Sequence, residues 1–131
     1  MTEIKFNGDS HGEDLKIALM RGRSSVKEHM EYIADRWVSS VRKNDIVFDL
    51  GDLGIRKQDN ILALYKKLPG KKHLIWGNHD PGFPGHRKAY NNHGPYREVF
   101  ESMSFMQVLK SQNRQFVLSH MPYDGEHSDK D

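Results

Sequence analysis

The chain has 131 residues, of which 36% are hydrophobic and 29% are charged. This length allows one domain with a hydrophobic core and is too short for two ordinary domains, so we expect a single domain over residues 1–131. The formal net charge is +2, and its lysines and arginines are interleaved with acids, which argues against a dedicated nucleic-acid-binding surface. The absence of cysteine excludes disulfides and thiolate metal ligands.

The N-terminal segment has no apolar stretch of the length that a signal peptide needs. Elsewhere, too, the apolar runs are shorter than a membrane-spanning helix. The sequence therefore predicts a cytoplasmic protein that does not enter a membrane.

The first half of the chain alternates strand and helix signals. A short apolar strand at 4–6 ends in Asn-Gly and leads to Asp9. Apolar residues at helical spacing predict a helix over 25–42, with a serine N-cap. A β-branched run at 45–50 predicts a second strand, which again ends in a carboxylate, Asp52.

The second half of the chain first continues this alternation of helix and strand and then becomes rich in turns. We predict a helix over 58–68 that is closed by Pro-Gly, and a third strand over 72–76. Parallel strands joined by helices place their ligands at the carboxyl ends of the strands. The turn-rich segment 80–86 is expected to form an ordered loop there. Further on, 105–109 and 115–118 are expected to pair as a hairpin.

Two short polar motifs follow the first two predicted strands. Asp9-Ser10-His11 places a carboxylate and an imidazole two residues apart, so both can reach one cation. Gly51-Asp52 supplies a carboxylate that can bridge two cations with its two oxygens. Each motif alone is equally compatible with an ordinary turn.

Gly77-Asn78-His79-Asp80 is the most specific motif. The amide oxygen of Asn78 can bind a metal, and His79 can protonate a leaving group, with Asp80 fixing its tautomer. The bland alternative is a helix N-cap with a solvated histidine. His120 follows the last predicted strand, where a structural histidine is an equally good interpretation.

The order of these motifs, D-x-H, G-D, G-N-H-D and S-H, resembles the calcineurin-like metallophosphoesterase family over nearly the whole chain. Small bacterial and phage members are similar in further segments: Arg21-Gly22, Glu28-His29, 68–70, 72–74 and 118–123. The resemblance implies an α/β fold, a calcineurin-like β-sandwich flanked by helices.

The resemblance also implies a two-metal site. Asp9 and His11 would bind the first divalent ion, Asn78 and His120 the second, and Asp52 would bridge them. The ions, which would be Mn, Fe or Zn, would activate a hydroxide that attacks the phosphate ester.

His79 would act as the general acid in this scheme. The substrate would be a phosphodiester or phosphomonoester, with nucleotides and cyclic nucleotides as candidates suggested by the resemblance alone.

The family pattern is not complete in this sequence. Members normally close the site with a Gly-His-x-His motif, which is absent here, so we expect each metal to be one ligand short and the domain to be C-terminally truncated. His127 is the candidate substitute ligand, and Asp124 and Asp129 are candidates as well. A solvated C-terminal segment is the simpler interpretation of all three. Glu13 and Asp14 are further candidates near the first motif, although a surface loop is the simpler interpretation there.

Several other side chains are candidate substrate contacts because arginine and histidine bind phosphate and tyrosine stacks on bases. They are Arg21, Arg23, His86, Arg87 and Tyr123. A surface role is the alternative for each of them. Trp37 and Trp76 are expected to pack in the interior.

Two functional alternatives to an enzyme remain at this point. A family member with an incomplete site would be catalytically impaired and would serve as a binding or scaffold domain. A nucleic-acid-binding module is the third interpretation, and the charge pattern gives it little support.

Overall fold

The computed structural model describes residues 2–55 and 58–122 and shows two sheets. Four parallel strands form the main sheet in the order β1-β2-β3-β4, and the antiparallel pair β5-β6 forms a second, smaller sheet. Their bounds are β1 Ile4–Asn7, β2 Ile46–Asp49, β3 Lys71–Ile75, β4 Ser102–Ser104, β5 Met106–Ser111 and β6 Arg114–Ser119. This is the mixed α/β architecture that the sequence predicted.

Helices connect the parallel strands. They are α1 Leu15–Met20, α2 Val26–Ser40, α3 Asp59–Lys67 and α4 Gly94–Arg97, with a 3-10 turn at Ala89–Asn92. No helix within the described residues is both long enough and apolar enough to cross a membrane. The helices α2 and α3, the hairpin and the first three strands agree with the sequence-based expectations to within one or two residues at most ends.

Local sequence sets the ends of the longest helix. The hydroxyl of Ser25 accepts a hydrogen bond from the backbone N–H of Glu28, so the expected serine N-cap is confirmed. Trp37 is buried, as predicted, and its indole N–H donates to the carbonyl of Pro69 at 2.8 Å. Val38, which the helical pattern placed among the apolar residues, is instead 62% exposed on the solvent side.

Strand residues alternate between two hydrophobic clusters on opposite faces of the main sheet. Val47 and Leu74 point to the helices and join the larger cluster with Trp37. Phe48 and Ile75, each one residue along, point to the other face and pack with Leu118 of the hairpin. Because successive side chains of a strand face opposite ways, one sheet is covered by helices on one side and by β5-β6 on the other.

Three elements were not predicted from the sequence. Strand β4 is a Ser-Met-Ser segment that pairs in parallel with β3. Helix α1 has only six residues, and α4 only four. Each element is too short to show a hydrophobic periodicity in the sequence, so its conformation depends on tertiary contacts.

The buried strand residue Leu74 provides a test of this core. Because Leu74 is fully buried, Leu74→Ala is expected to lower the free energy of unfolding by about 2 to 5 kcal/mol. Leu19→Ala removes the same atoms from a side chain that is 54% exposed on α1 and should change it by less than about 0.5 kcal/mol. Urea unfolding of both variants measures the difference, and equal losses would contradict the assignment of the core.

Candidate metal centre

The carboxyl ends of β1 and β2 carry three polar side chains on strained backbone. Asp9, His11 and Asp52 have φ values of 53°, 46° and 57°, in the left-handed region that L residues rarely occupy. Residues held in this region usually owe it to surrounding structure, and they concentrate at binding and catalytic sites. These three residues are also the ones whose ligand atoms all lie within 4.8 Å of one another.

Backbone hydrogen bonds hold the two loops together beyond the ends of the strands. The N–H of Asp9 donates to the carbonyl of Gly51 at 2.9 Å, and the N–H of His11 donates to the carbonyl of Asp52 at 3.0 Å. The loops therefore remain hydrogen-bonded to each other beyond the last strand pair, Asn7 and Asp49. This pairing brings the D-x-H and G-D motifs side by side.

One oxygen of Asp52 faces histidines from two different loops. Its Oδ2 lies 3.8 Å from Nε2 of His11 and 3.2 Å from Nε2 of His120. Nε2 of His11 is also 3.8 Å from Oδ1 of Asp9. Asp52 therefore lies between two donor groups, and its side chain is only 6% exposed. The first donor group is Asp9 and His11.

The second group contains His120 and Asn78. Nε2 of His120 lies 3.0 Å from the amide oxygen of Asn78, and Nδ1 of the same ring donates to the carbonyl of Leu50 at 2.7 Å. A carbonyl partner at Nδ1 fixes the tautomer that leaves a lone pair on Nε2, which is how metal-binding histidines are usually held. Nε2 then faces oxygens that also offer lone pairs.

These donors fit divalent cations. Nε2 of His120 meets only acceptors, from Asp52 and Asn78, and this convergence of lone pairs is favourable when a cation lies among them. The separations of 3.8 Å around His11 also suit two donors that each lie about 2.0 to 2.2 Å from one shared ion. The chemistry of the donor set, imidazole with carboxylate and amide oxygens, suits a divalent metal ion.

His79 lies beside both groups and is exposed to solvent. Its backbone N–H donates to Oδ1 of Asp52 at 2.9 Å, and its ring centroid is 5.9 Å from that of His11. The loop after β3 is thereby attached to the loop after β2. An exposed imidazole at this position can reach a ligand held by the carboxylates.

Asp80 has a different role from the one expected of it. Its carboxylate was predicted to orient His79, but its hydrogen bonds run to backbone N–H groups of Asp52, Leu53 and Gly77 and to the side chain of Gln58, at 2.8 to 3.0 Å. Burial raises the pKa of Asp80, while these hydrogen bonds lower it. Asp80 therefore fixes the loops that carry the donors and does not contact the ring of His79.

Two glycines allow these loops to approach closely. A Cβ on Gly77 would lie 2.2 Å from Oδ1 of Asp52, and a Cβ on Gly51 would lie 2.2 Å from the backbone nitrogen of Gly77. Gly51 also has a φ of 94°, which a side chain would make unfavourable. The glycines of both motifs are thus required by packing around Asp52.

The D-x-H loop is held from outside by two residues of the helical region. Arg21 donates to the carbonyls of Asp9 and Ser10 at 2.8 and 3.1 Å, so at least part of its guanidinium supports the loop and is not free for substrate. The buried ring of His29 donates through Nε2 to the carbonyl of Ser10 at 2.9 Å. This role of His29 was not predicted from the sequence, because the residue lies within a predicted helix and its partner, Ser10, is 19 residues away.

Other predicted residues have structural partners. Glu13 accepts hydrogen bonds from the backbone N–H groups of Asn60 and Ile61 at the start of α3, which corrects its assignment as a possible ligand. Asp14 caps α1 and lies 3.7 Å from Nδ1 of His11, outside the donor group. His86 donates to the backbone carbonyl of Asn78 at 2.7 Å and so positions that loop.

The C-terminal predictions lie beyond the part of the chain that the structure describes. They concern Tyr123 as a substrate contact, His127 as a substitute ligand, and Asp124 and Asp129 as members of the same segment. Trp76 is 2% exposed and packs against His93 and Tyr96, so its predicted packing role is confirmed.

The chain belongs to the calcineurin-like phosphoesterase family, whose model matches residues 3–129. The family consists of metal-dependent phosphoesterases, and the group Asp9, His11 and Asp52 gives this chain a candidate metal site. The resemblance inferred from the motif order is therefore confirmed.

Two phage proteins are similar in sequence. The Gene 66 protein of Mycobacterium phage L5 is 32% identical over 142 residues, which cover 100% of this chain and 69% of that protein. The Gene 66 protein of Mycobacterium phage D29 is 33% identical over 136 residues, covering 98% and 68% respectively. These relatives support the expected likeness to small phage members.

A crystal structure supports the fold. A protein of unknown function from Aquifex aeolicus superposes with a TM-score of 0.71 over 99% of this chain and 67% of that chain. At 22% sequence identity this likeness concerns the fold alone.

A buried carboxylate lies beneath the candidate metal centre. Asp49 accepts hydrogen bonds from Asn7 and Tyr65 at 2.9 and 2.8 Å, and the hydroxyl of Ser10 lies 2.6 Å from that of Tyr65. Full burial raises the pKa of Asp49 to about 7, although its hydrogen bonds, including one from the N–H of Gly51, oppose the shift.

This raised pKa predicts a pH dependence of stability. Between about pH 4 and pH 7 the native protein retains a proton on Asp49 that the unfolded chain loses, so the free energy of unfolding should fall as the pH rises through this window and level off above it. Asp49→Asn removes this contribution. We expect urea unfolding of the metal-free proteins at pH 5 and pH 7.5 to show a larger decrease for the wild type than for the variant, and equal decreases would contradict the assignment.

Proposed function

We propose that the protein is a dinuclear metal-dependent phosphoesterase that hydrolyses phosphodiesters or phosphomonoesters. One observation carries the proposal: Oδ2 of Asp52 faces Nε2 of His11 on one side and Nε2 of His120 on the other. A carboxylate between two donor groups is the arrangement that holds two cations close together. Asp9 would contribute a further ligand to the first metal site and Asn78 to the second.

Two divalent ions bound there would neutralise phosphate oxygens and make a bound water nucleophilic near neutral pH. The residues of the chain would do the remaining work. Asp52 would bind both ions, while His79, exposed beside them, would donate a proton to the leaving oxygen, so that the group departs as an alcohol or phenol. Asn78, a neutral ligand, would limit the negative charge that faces the incoming phosphate.

The substrate class follows from the family as a phosphate ester, and nucleotides or cyclic nucleotides are our candidates within it. The metals would be Mn, Fe or Zn, all of which suit mixed imidazole and carboxylate ligation. Mn is the metal chosen for the assay below.

Removal of the shared carboxylate is the first test of this proposal. Hydrolysis of bis(p-nitrophenyl) phosphate should be stimulated by Mn²⁺ in the wild-type chain. Asp52→Asn should abolish this stimulation. Loss of a residue that only supports a metal ligand weakens metal binding by about 10- to 100-fold, and loss of Asp52, a direct ligand, should weaken Mn²⁺ binding by more than this. Asp35→Asn, an equivalent change on the exposed surface of α2, is the control and should leave both properties unchanged.

Turnover and Mn²⁺ binding are measured by product absorbance and by calorimetry on the same preparations. Absence of metal-stimulated turnover in the wild-type chain would contradict the proposal and would favour the non-catalytic binding domain. Equal activity of the wild type and Asp52→Asn would contradict the assignment of the site.

His79→Gln separates proton donation from metal binding. The variant should lower kcat by about 10² to 10⁴ for a substrate with an alkyl leaving group, because an alkoxide needs a proton as it departs. The loss should be much smaller for p-nitrophenolate, which leaves without one, and Mn²⁺ affinity should stay near that of the wild type. A loss that is equal for both leaving groups would show that His79 is not the general acid.

A further inference from the structure

A cavity of about 440 Å³ opens beside the candidate metal centre, between the edge strand β1 and helix α2. Its wall includes Asp9 and Ser10 of the D-x-H loop, so the cavity adjoins the first donor group directly. Strand β1 pairs only with β2 among the described strands, which leaves this side of the sheet open. A molecule held by the metals therefore has room to extend into the cavity.

The wall of this cavity is strongly basic. Lys5, Arg21, Arg23 and Arg36 line it, whereas Asp9 is its only acidic residue. Lys5 is paired with Glu3 at 2.7 Å, but none of the three arginines forms an ion pair with a carboxylate in residues 2–55 and 58–122. Like charges gathered around one cavity repel one another, and a bound anion relieves this repulsion.

Arg23 is held in place before any anion binds. Its guanidinium carbon lies 3.6 Å from the ring centroid of Tyr32, in a cation–π contact that fixes the plane of the group. Its Nε is buried and has no hydrogen-bond partner among the described residues. One terminal nitrogen of Arg23 donates to the carbonyl of Arg21 at 3.5 Å. The guanidinium, which lines the cavity, is planar, and two oxygens of one phosphate can accept hydrogen bonds from such a group.

Arg21 links this cavity to the metal loop. Two of its nitrogens donate to the carbonyls of Asp9 and Ser10, so its positive charge stays at the boundary between the two sites. Arg36, on the exposed surface of α2, also lines the cavity. The arginines of the wall thus come from the region around α1 and from α2, and Arg21 contacts the D-x-H loop directly.

We propose that this cavity is a binding subsite for a second phosphate group of the substrate, distinct from the phosphate that is hydrolysed. The proposal rests on the function proposed above and narrows its substrate class to esters with at least two phosphate groups, such as a nucleoside bisphosphate or a short oligonucleotide. Arg23 and Arg36 are the anion-binding residues, and Arg21 holds the D-x-H loop where the cavity meets the metal centre. The subsite sets substrate preference and takes no part in bond cleavage.

A matched pair of substrates tests the subsite. Thymidine 5′-(p-nitrophenyl phosphate) and its 3′-phosphorylated counterpart share the scissile ester and the leaving group and differ by one phosphate. The wild-type chain with Mn²⁺ should favour the 3′-phosphorylated compound in kcat/KM by about tenfold or more, the value of one charged hydrogen-bonded contact. The double variant Arg23→Gln, Arg36→Gln should lose this preference and retain its rate on the compound without the second phosphate.

Arg97→Gln, on α4 and away from the cavity, is the control and should keep the preference. Higher salt should reduce the preference in the wild type, since the contacts lie near solvent. Equal kcat/KM values for the two compounds in the wild-type chain would overturn the proposal.

A binding measurement separates this proposal from the proposed function. Inorganic pyrophosphate is titrated calorimetrically into metal-free protein, where no hydrolysis is possible. The double variant should bind it at least about tenfold more weakly than the wild type and Arg97→Gln do. Unchanged circular dichroism and thermal unfolding establish that the double variant is folded.

The outcomes of the two experiments are distinguishable. If pyrophosphate binding depends on Arg23 and Arg36 but no ester is hydrolysed, the anion site is supported and the proposed enzymatic function is refuted. Turnover with equal pyrophosphate binding by the wild type and the double variant would retain the enzyme and refute the subsite.

Discussion

The buried carboxylate of Asp80 is the interaction on which the geometry of the site depends. It accepts hydrogen bonds from the backbone of the loop after β2, at Asp52 and Leu53, and from the backbone of its own loop after β3, at Gly77. Neither loop has regular secondary structure to satisfy these N–H groups, and leaving them unpaired in the interior would be costly. One anion therefore determines how the two loops meet, and it sets the position of Asp52 relative to His79.

The left-handed backbone at the donors is maintained by the hydrogen bonds around these loops. Asp9, His11 and Asp52 each occupy a region that costs of order 1 kcal/mol or more for an L residue. This conformation is held by the hydrogen bonds between the two loops, by those that Arg21 and His29 donate to Ser10, and by the one that Asp80 accepts from Asp52. The folding stability of the parallel sheet and its helices thus offsets the backbone strain of the two loops that follow β1 and β2.

Much of this arrangement was readable from the sequence because it depends on local pattern. Hydrophobic periods located β1, β2, β3, α2 and α3, and the polar motifs after the strands located the donors. The role of Asp80 was not readable, since two of its partners are N–H groups 27 and 28 residues away, and a backbone donor leaves no residue-type signal. Strand β4 was missed for a related reason: Ser-Met-Ser has no β-branched or alternating pattern, and its pairing with β3 alone makes it a strand.

The two donor groups are unequally prepared for a cation. The side chain of His120 is only 12% exposed, and a carbonyl fixes the tautomer of its imidazole. His11 is similarly buried at 13%, whereas the side chain of Asp9 is 61% exposed, and Arg21 holds its backbone carbonyl but not its carboxylate. Ordering an exposed carboxylate costs side-chain entropy, whereas the two histidines have already lost that freedom on folding. Asp9 is therefore the least ordered ligand of the first group, and it also lines the basic cavity beside β1.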